Sequence, residues 1–307
     1  MTKATPERAI GALMGLAVGD SIGTTLEFVP RNKITAPLTD MVGGGPFKLQ
    51  PGQWTDDTSM ALCLGESLLE HGFDMHDQLK RYLNWYDNGY LSSTGKCFDI
   101  GGTTQDALER YRDHGIAHAG SANPNDAGNG CIMRLAPVVI YSQDEPEIAI
   151  HYAQEQSKTT HRAPECLMAC QLMAEVLMRA LQGKTKNEVL APSSLQLDWT
   201  DGLRSIALGQ YQRKTVEQIK GSGYVVQSLE AALWCFATTG TFAECVLAAA
   251  NLGDDADTTA AVAGQIAGAF YSVENIPAAW QEQVFMGDEI KRMAMRLMAP
   301  RVRHQTT

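Results

Sequence analysis

Two short stretches, one near each end of the chain, share a design that limits how the chain can close. The first reads Trp54-Thr55-Asp56-Asp57-Thr58-Ser59 and runs into the apolar segment Met60-Ala61-Leu62-Cys63-Leu64. The second reads Gly253-Asp254-Asp255-Ala256-Asp257-Thr258-Thr259-Ala260; residues 260–270 then carry no charge, and Gly264 and Gly268 fall four apart. Each predicts a buried helix whose first turn holds carboxylates and hydroxyls. One or two acids at a helix start cap free N–H groups and suit the positive end of the helix dipole. Three beside a buried helix exceed what capping needs, because crowded carboxylates repel unless a cation sits among them. Hard oxygens from Asp and Thr are ligands for magnesium or manganese. The two stretches together predict one candidate site for divalent cations, assembled from both ends of the chain.

That expectation decides the domain count. A chain of 307 residues is long enough for two domains, but a shared site requires its ends to meet, so one domain over residues 1–307 is expected. The 44% hydrophobic content is ample for its core. The net charge of −10, with no dense Lys/Arg run, argues against a nucleic-acid partner. The apolar runs read as too short for a membrane span, and Met1-Thr2-Lys3-Ala4 does not open a signal peptide. Seven scattered cysteines without a CxxC fit a reducing compartment better than a disulfide framework, so a cytoplasmic location is expected.

Along the chain, the periodicity is helical almost throughout. A first helix is predicted over residues 7–19, with Gly11, Gly15, Gly19 and Gly23 recurring every four positions. Because each glycine costs helix stability, that stripe predicts close approach of a neighbouring backbone. Glu27 follows in a less regular stretch and reads, on its own, as a solvated side chain. Residues 31–53, with Pro37, Pro46, Pro51 and Gly43-Gly44-Gly45, form a long loop and a candidate site cover. Helices are expected from Thr58 to His71, after Asp74, and after Gly102, with Thr103 and Asp106 at capping-box spacing. Asp99, between Phe98 and Ile100, reads as a turn-forming acid whose apolar neighbours would raise its pKa. The run 123–130, Asn-Pro-Asn-Asp-Ala-Gly-Asn-Gly, is the strongest turn signal, and such loops can aim N–H groups at phosphates. Arg134 falls in an apolar turn and needs a partner there. Further helices are predicted from Pro146, from Pro164 to Leu181, from Tyr224 to Thr238 and from Thr241 to Ala250; only Val138–Tyr141 looks strand-like. His161 reads as a surface or capping residue and Tyr224 as core or a stacking platform. The class is all-α.

These motifs, in this order, resemble the ADP-ribosylglycohydrolase family: Gly19-Asp20-Ser21-Ile22-Gly23, Thr55-Asp56-Asp57, Cys97-Phe98-Asp99-Ile100-Gly101, Gly128-Asn129-Gly130, Thr160-His161, Ser222-Gly223-Tyr224-Val225-Val226 and Gly253-Asp254-Asp255-Ala256-Asp257-Thr258. The chain looks most like members that remove ADP-ribose from arginine, including those acting on dinitrogen reductase. The resemblance covers almost the whole chain and implies an orthogonal, multi-helix all-α fold with two divalent cations, Mg²⁺ or Mn²⁺. It implies Thr55, Asp56, Asp57, Asp255, Asp257 and Thr258 as metal ligands, Asp99 and Glu27 as catalytic acids, and Asn129, Gly130, His161 and Tyr224 as contacts to ADP-ribose. The expected activity is hydrolysis of the N-glycosidic bond between ADP-ribose and arginine on a modified protein. Alternatives are an ADP-ribosyl-serine or O-acyl-ADP-ribose hydrolase, a metal-dependent pyrophosphatase releasing AMP, or a non-catalytic ADP-ribose-binding protein.

Overall fold

Two helices from opposite ends of the chain form the centre of the molecule, and glycine is what lets them meet. The computed structural model describes residues 4–299. Helix α1 spans Pro6–Gly23, started by Thr5, whose hydroxyl accepts the Arg8 N–H, and by Pro6 in the first turn, where a missing N–H costs nothing. Next in order come α2 (Asp56–His71), α3 (Met75–Asn88), α4 (Gly102–His114), α5 (Ala136–Tyr141), α6 (Pro146–Ser157) and α7 (Pro164–Leu181). They are followed by α8 (Lys186–Val189), α9 (Asp201–Ala207), α10 (Val225–Thr238), α11 (Phe242–Ala250), α12 (Ala256–Tyr271), α13 (Ala278–Gln283) and α14 (Gly287–Met298). Among the described residues there is no sheet, only the isolated bridges Gly44–Leu49, Ser121–His161 and Gly128–Tyr224.

Helices α1 and α12 pack antiparallel along the predicted glycine stripe. A Cβ added at Gly15 would lie 3.0 Å from the Gly264 carbonyl carbon, and one at Gly23 would lie 2.5 Å from Asp257 Cα. The reverse holds too: a Cβ at Gly264 would lie 2.8 Å from the Gly15 carbonyl carbon. Backbone therefore touches backbone at every turn of the crossing. Helices α10, α11 and α7 cover the other sides of α12, and α14 and α2 flank α1. Because the last turn of α1 meets the first turn of α12, the crossing carries the acids of α12 to the chain leaving α1.

Several expectations need correction. Helix α1 runs four residues beyond Gly19, because Gly19 and Gly23 are seated against α12 instead of ending the helix. Its helical stretch Pro6–Leu26 is long and apolar enough by length and composition to cross a membrane, contrary to the reading above, but 83% of its most apolar 18-residue window is buried inside the protein. Helix α2 starts at Asp56 instead of Thr58. Val138–Tyr141, read as strand-like, is helical within α5; a short apolar run has no period that separates the two states. Thr103 and Asp106 make no capping box: the N-cap of α4 is Gly101, without a side-chain bond.

Candidate active site

Asp20 explains why the first acidic stretch takes its shape. Buried in the last turn of α1, it accepts from the Thr55 N–H (2.9 Å) and Thr58 N–H (3.0 Å) and from the Thr58 hydroxyl (2.6 Å), with Thr55 Oγ1 at 2.9 Å. It thus caps α2 from outside and turns the Thr55 hydroxyl toward the second stretch. Glu27 performs the same task for α12: its Oε2 accepts from the N–H groups of Ala256 (2.8 Å) and Asp257 (3.2 Å). It is 4% exposed, so the reading of Glu27 as a solvated side chain is overturned. The two acidic stretches meet directly. Thr258 Oγ1 donates to Asp57 Oδ1 at 3.1 Å across 201 positions of chain, and Thr55 Oγ1 lies 3.3 Å from Asp257 Oδ2.

The carboxylates are crowded and dry. Burial, then the Asp257 charge, pushes Asp20 and Asp255 up to about 7 and Glu27 up to about 12. Asp99 is pushed up to about 11 by burial and the charges of Asp257 and Asp56. Asp56 and Asp57 move the same way for the same causes. Asp99 sits in a left-handed backbone conformation (φ 60°), half-buried, with Oδ2 sealed from solvent and no N–H or hydroxyl donating to it. It is thus not the simple surface turn that its sequence context suggests.

A cavity of about 280 Å³ opens over these acids, and another part of its lining has the opposite character. There α4 presents its N-terminus, Gly101-Gly102-Thr103-Thr104, with no side chain capping it. A helix start of this kind is a ready anion site. Beside it lie Asn129 and Gly130. Asn129 is anchored through Nδ2 to Asp255 Oδ2 (3.0 Å) and through its N–H to the Gly223 carbonyl (3.0 Å). Gly130 is required because a Cβ would lie 2.7 Å from His161 Cε1. His161 is 3% exposed, not the surface residue its sequence context suggests. Buried Arg134 donates to Thr160 Oγ1 (2.7 Å), and that hydroxyl lies 2.8 Å from His161 Nδ1. An arginine cannot accept, so Thr160 gives its proton to Nδ1, and the imidazole keeps its own proton on Nε2. Burial pushes the His161 pKa down to about 4, so the ring is a neutral donor to the cavity. Arg134 thereby has the structural role its buried setting predicts.

Residues 1–306 match the sequence pattern of the ADP-ribosylglycohydrolase family. The chain belongs to that family. It is 45% identical to ADP-ribosylarginine hydrolase Tri1 of Serratia proteamaculans over 297 residues, 96% of this chain and 80% of that one. It is 32% identical to the ADP-ribosyl-[dinitrogen reductase] glycohydrolase of Rhodospirillum rubrum over 301 residues, 95% and 96% of the two chains. A solved structure described as an ADP-ribosylglycohydrolase-related protein complex superposes with a TM-score of 0.85 at 40% identity, covering 95% of this chain and 97% of the other.

ADP-ribosylglycohydrolases depend on metal, and the donor set here fits cations. Carboxylate oxygens of Glu27, Asp255 and Asp257 lie within 4.8 Å of one another, as do those of Asp56, Asp99 and Asp257. Metal–oxygen distances of about 2.0–2.6 Å place the ligands of one ion within about 5 Å of each other. Asp257 belongs to both sets. Asp57 Oδ2 is buried and without a hydrogen-bond partner, as an oxygen awaiting a cation would be. Of the twelve expected residues, Glu27, Asp56, Asp99, Asn129, Gly130, His161, Asp255, Asp257 and Thr258 line the cavity. Thr55 and Asp57 lie beneath its floor, fully buried. Tyr224 lies at the border, where Gly223 forms the wall; it is 38% exposed, and its hydroxyl donates to Glu165 at 2.5 Å. Residue order gave no role to Asp20 or Phe28, and gave the first turn of α4 only a cap. Asp20 stood inside a quoted motif, and the Gly101-Gly102 pair ahead of a helix was a signal for an open N-terminus.

Proposed function

We propose that this chain removes ADP-ribose from ADP-ribosylated arginine on proteins, using two divalent cations, Mg²⁺ or Mn²⁺. The observation that carries the reading is the placement of Asp99. It is an acid with a buried oxygen that no N–H or hydroxyl donates to, where the carboxylates converge in a cavity that anion-binding groups also line. The substrate then has one orientation. Its diphosphate suits the α4 N-terminus, Gly130 and His161 Nε2–H, and its adenine suits the exposed ring of Tyr224. Its distal ribose faces the acids.

Bound between the carboxylates, the cations would offset their charge and acidify a water. Asp56, Asp57, Asp255 and Asp257 offer the carboxylate oxygens that would hold them, with the Thr55 and Thr258 hydroxyls beside these. As the C–N bond to arginine breaks, Asp99 donates its proton to the departing guanidine nitrogen. A water oxygen bonds to the anomeric carbon, which passes through an oxocarbenium-like state. The water's proton leaves to a neighbouring carboxylate, with Glu27 the second acid–base group, and the products are ADP-ribose and arginine. All seven cysteines are free, which supports a reducing, cytoplasmic setting. The net charge of −10 supports a protein substrate rather than nucleic acid or membrane. The test is incubation with ADP-ribosyl-arginine and Mg²⁺ or Mn²⁺, followed by product identification. ADP-ribose plus arginine is expected, blocked by a chelator and restored by the ion. Release of AMP, or cleavage confined to serine or acyl conjugates, would overturn the reading.

A further inference from the structure

A row of three phenylalanines borders the acidic end of the cavity. Phe28 lines the cavity and is 64% exposed, although it directly follows buried Glu27. Its backbone is left-handed (φ 62°), a conformation unfavourable for a bulky residue, and its N–H donates to the Asp254 carbonyl at 2.8 Å. The ring is thus held outward by the same loop that carries the acids. Phe47 packs edge-on to Phe28 (centroids 6.2 Å apart, 73°), and Phe98 packs on Phe47 (5.2 Å, 60°). The segment bearing Phe47 is pinned to the turn bearing Phe28: Thr25 Oγ1 donates to the Gly43 carbonyl at 3.0 Å, and a Cβ at Gly45 would lie 3.2 Å from Thr25 Cα. Phe98 is the neighbour of Asp99.

We propose that Phe28, positioned by Phe47 and Phe98, is the contact for the arginine guanidinium and so sets the preference among leaving groups. This rests on the arginine reading given above. If Asp99 reaches the leaving nitrogen, the leaving group lies beside Asp99, in the cavity that Phe28 also lines. The rings of Phe28, Phe47 and Phe98 make the rim there aromatic. A planar guanidinium matches that rim: it stacks on a ring face within about 6 Å of the centroid. A serine or acyl leaving group has neither the charge nor the flat face.

The deciding variant is Phe28→Leu, which keeps apolar bulk and removes the π face. KM for ADP-ribosyl-arginine should rise about 5- to 30-fold, or about 1–2 kcal/mol at 1.4 kcal/mol per tenfold. The change in kcat should stay within about threefold, and ADP-ribose affinity by calorimetry within about twofold. Phe28→Tyr should restore KM. Phe47→Ala should raise KM less, with rescue by Phe47→Tyr. If the wild-type enzyme cleaves the arginine conjugate and Phe28→Leu leaves KM unchanged, this inference fails and the arginine reading stands. It fails also if ADP-ribose affinity falls in step with KM, since the ring would then serve the nucleotide. If the wild-type enzyme does not cleave the arginine conjugate, both fall together.

Discussion

Replacing one glycine at the α1–α12 crossing should uncouple metal binding from overall stability, depending on which end of the crossing is altered. In Gly23→Ala the new Cβ would lie 2.5 Å from Asp257 Cα, whereas carbon atoms in contact sit about 3.5–4.0 Å apart. The first turn of α12 must therefore move by about 1 Å. Overpacking of this kind costs about 1–3 kcal/mol, offset by about 1 kcal/mol from replacing glycine with alanine in a helix. The net loss of stability is about 0–2 kcal/mol, a few degrees in Tm at most for a chain of this size. The effect on the site is larger. Metal ligands must hold their distances to within about 0.2 Å, and Asp257 belongs to both carboxylate sets. Mg²⁺ or Mn²⁺ affinity should therefore fall by about 10- to 100-fold, the range seen when the supports of ligands are disturbed. Gly11→Ala is the control. Its Cβ meets the Gly268 carbonyl carbon at 2.9 Å, a comparable clash, but twelve residues and about 18 Å along the helix from Gly23. It should cost similar stability and leave metal affinity within about twofold. Thermal unfolding and calorimetric titration of both variants make the measurement. Equal metal affinity in the two would refute the argument that backbone contact at the last turn of α1 sets the geometry of the acids.

Three other outcomes are expected. Asp99→Asn removes the transferable proton while keeping shape; turnover should fall by ~10²–10⁴-fold with ADP-ribose affinity nearly unchanged, and full turnover in the variant would move the acid–base role to Glu27. The cation-free protein should lose stability as pH rises. Asp20 and Asp255 have pKa values raised from 3.8 to about 7, so the folded state binds more protons than the unfolded state between those values, and stability falls across that window. The higher values of Asp99 and Glu27 extend the loss above it. Tm with a chelator should therefore be lower at pH 8 than at pH 5, and Mg²⁺ should stabilise more at pH 8; a flat or rising chelator profile would show that the acids are not coupled as described. Tyr224→Ala should weaken ADP-ribose binding by roughly five- to a hundred-fold, from ~1–3 kcal/mol of base stacking, and unchanged affinity in calorimetry would leave that ring with only its bond to Glu165.

Much of this molecule was legible from residue order alone, because the features concerned are local. Apolar spacing marked the helices, and Thr5, Asp74 and Thr241 cap them with side chains a few residues away. The two Asp/Thr stretches announced a shared site because crowded carboxylates demand compensation wherever they occur. The glycine stripe likewise announced a close helix contact, though not its partner. Only the tertiary structure decided that α12 fills this stripe, that Asp20 shapes the first acidic stretch, and that Glu27 is buried under the second. Each depends on contacts between residues far apart in the chain, and no period or motif encodes which distant surface a side chain will meet. Val138–Tyr141 shows the same limit in reverse: its β-branched residues favour a strand locally, while its burial among helices made it the last turn of α5. Phe28 is the sharpest case. In sequence it is an ordinary apolar residue, and only its left-handed backbone, set by a bond to Asp254 from the far end of the chain, turns its ring out into the cavity.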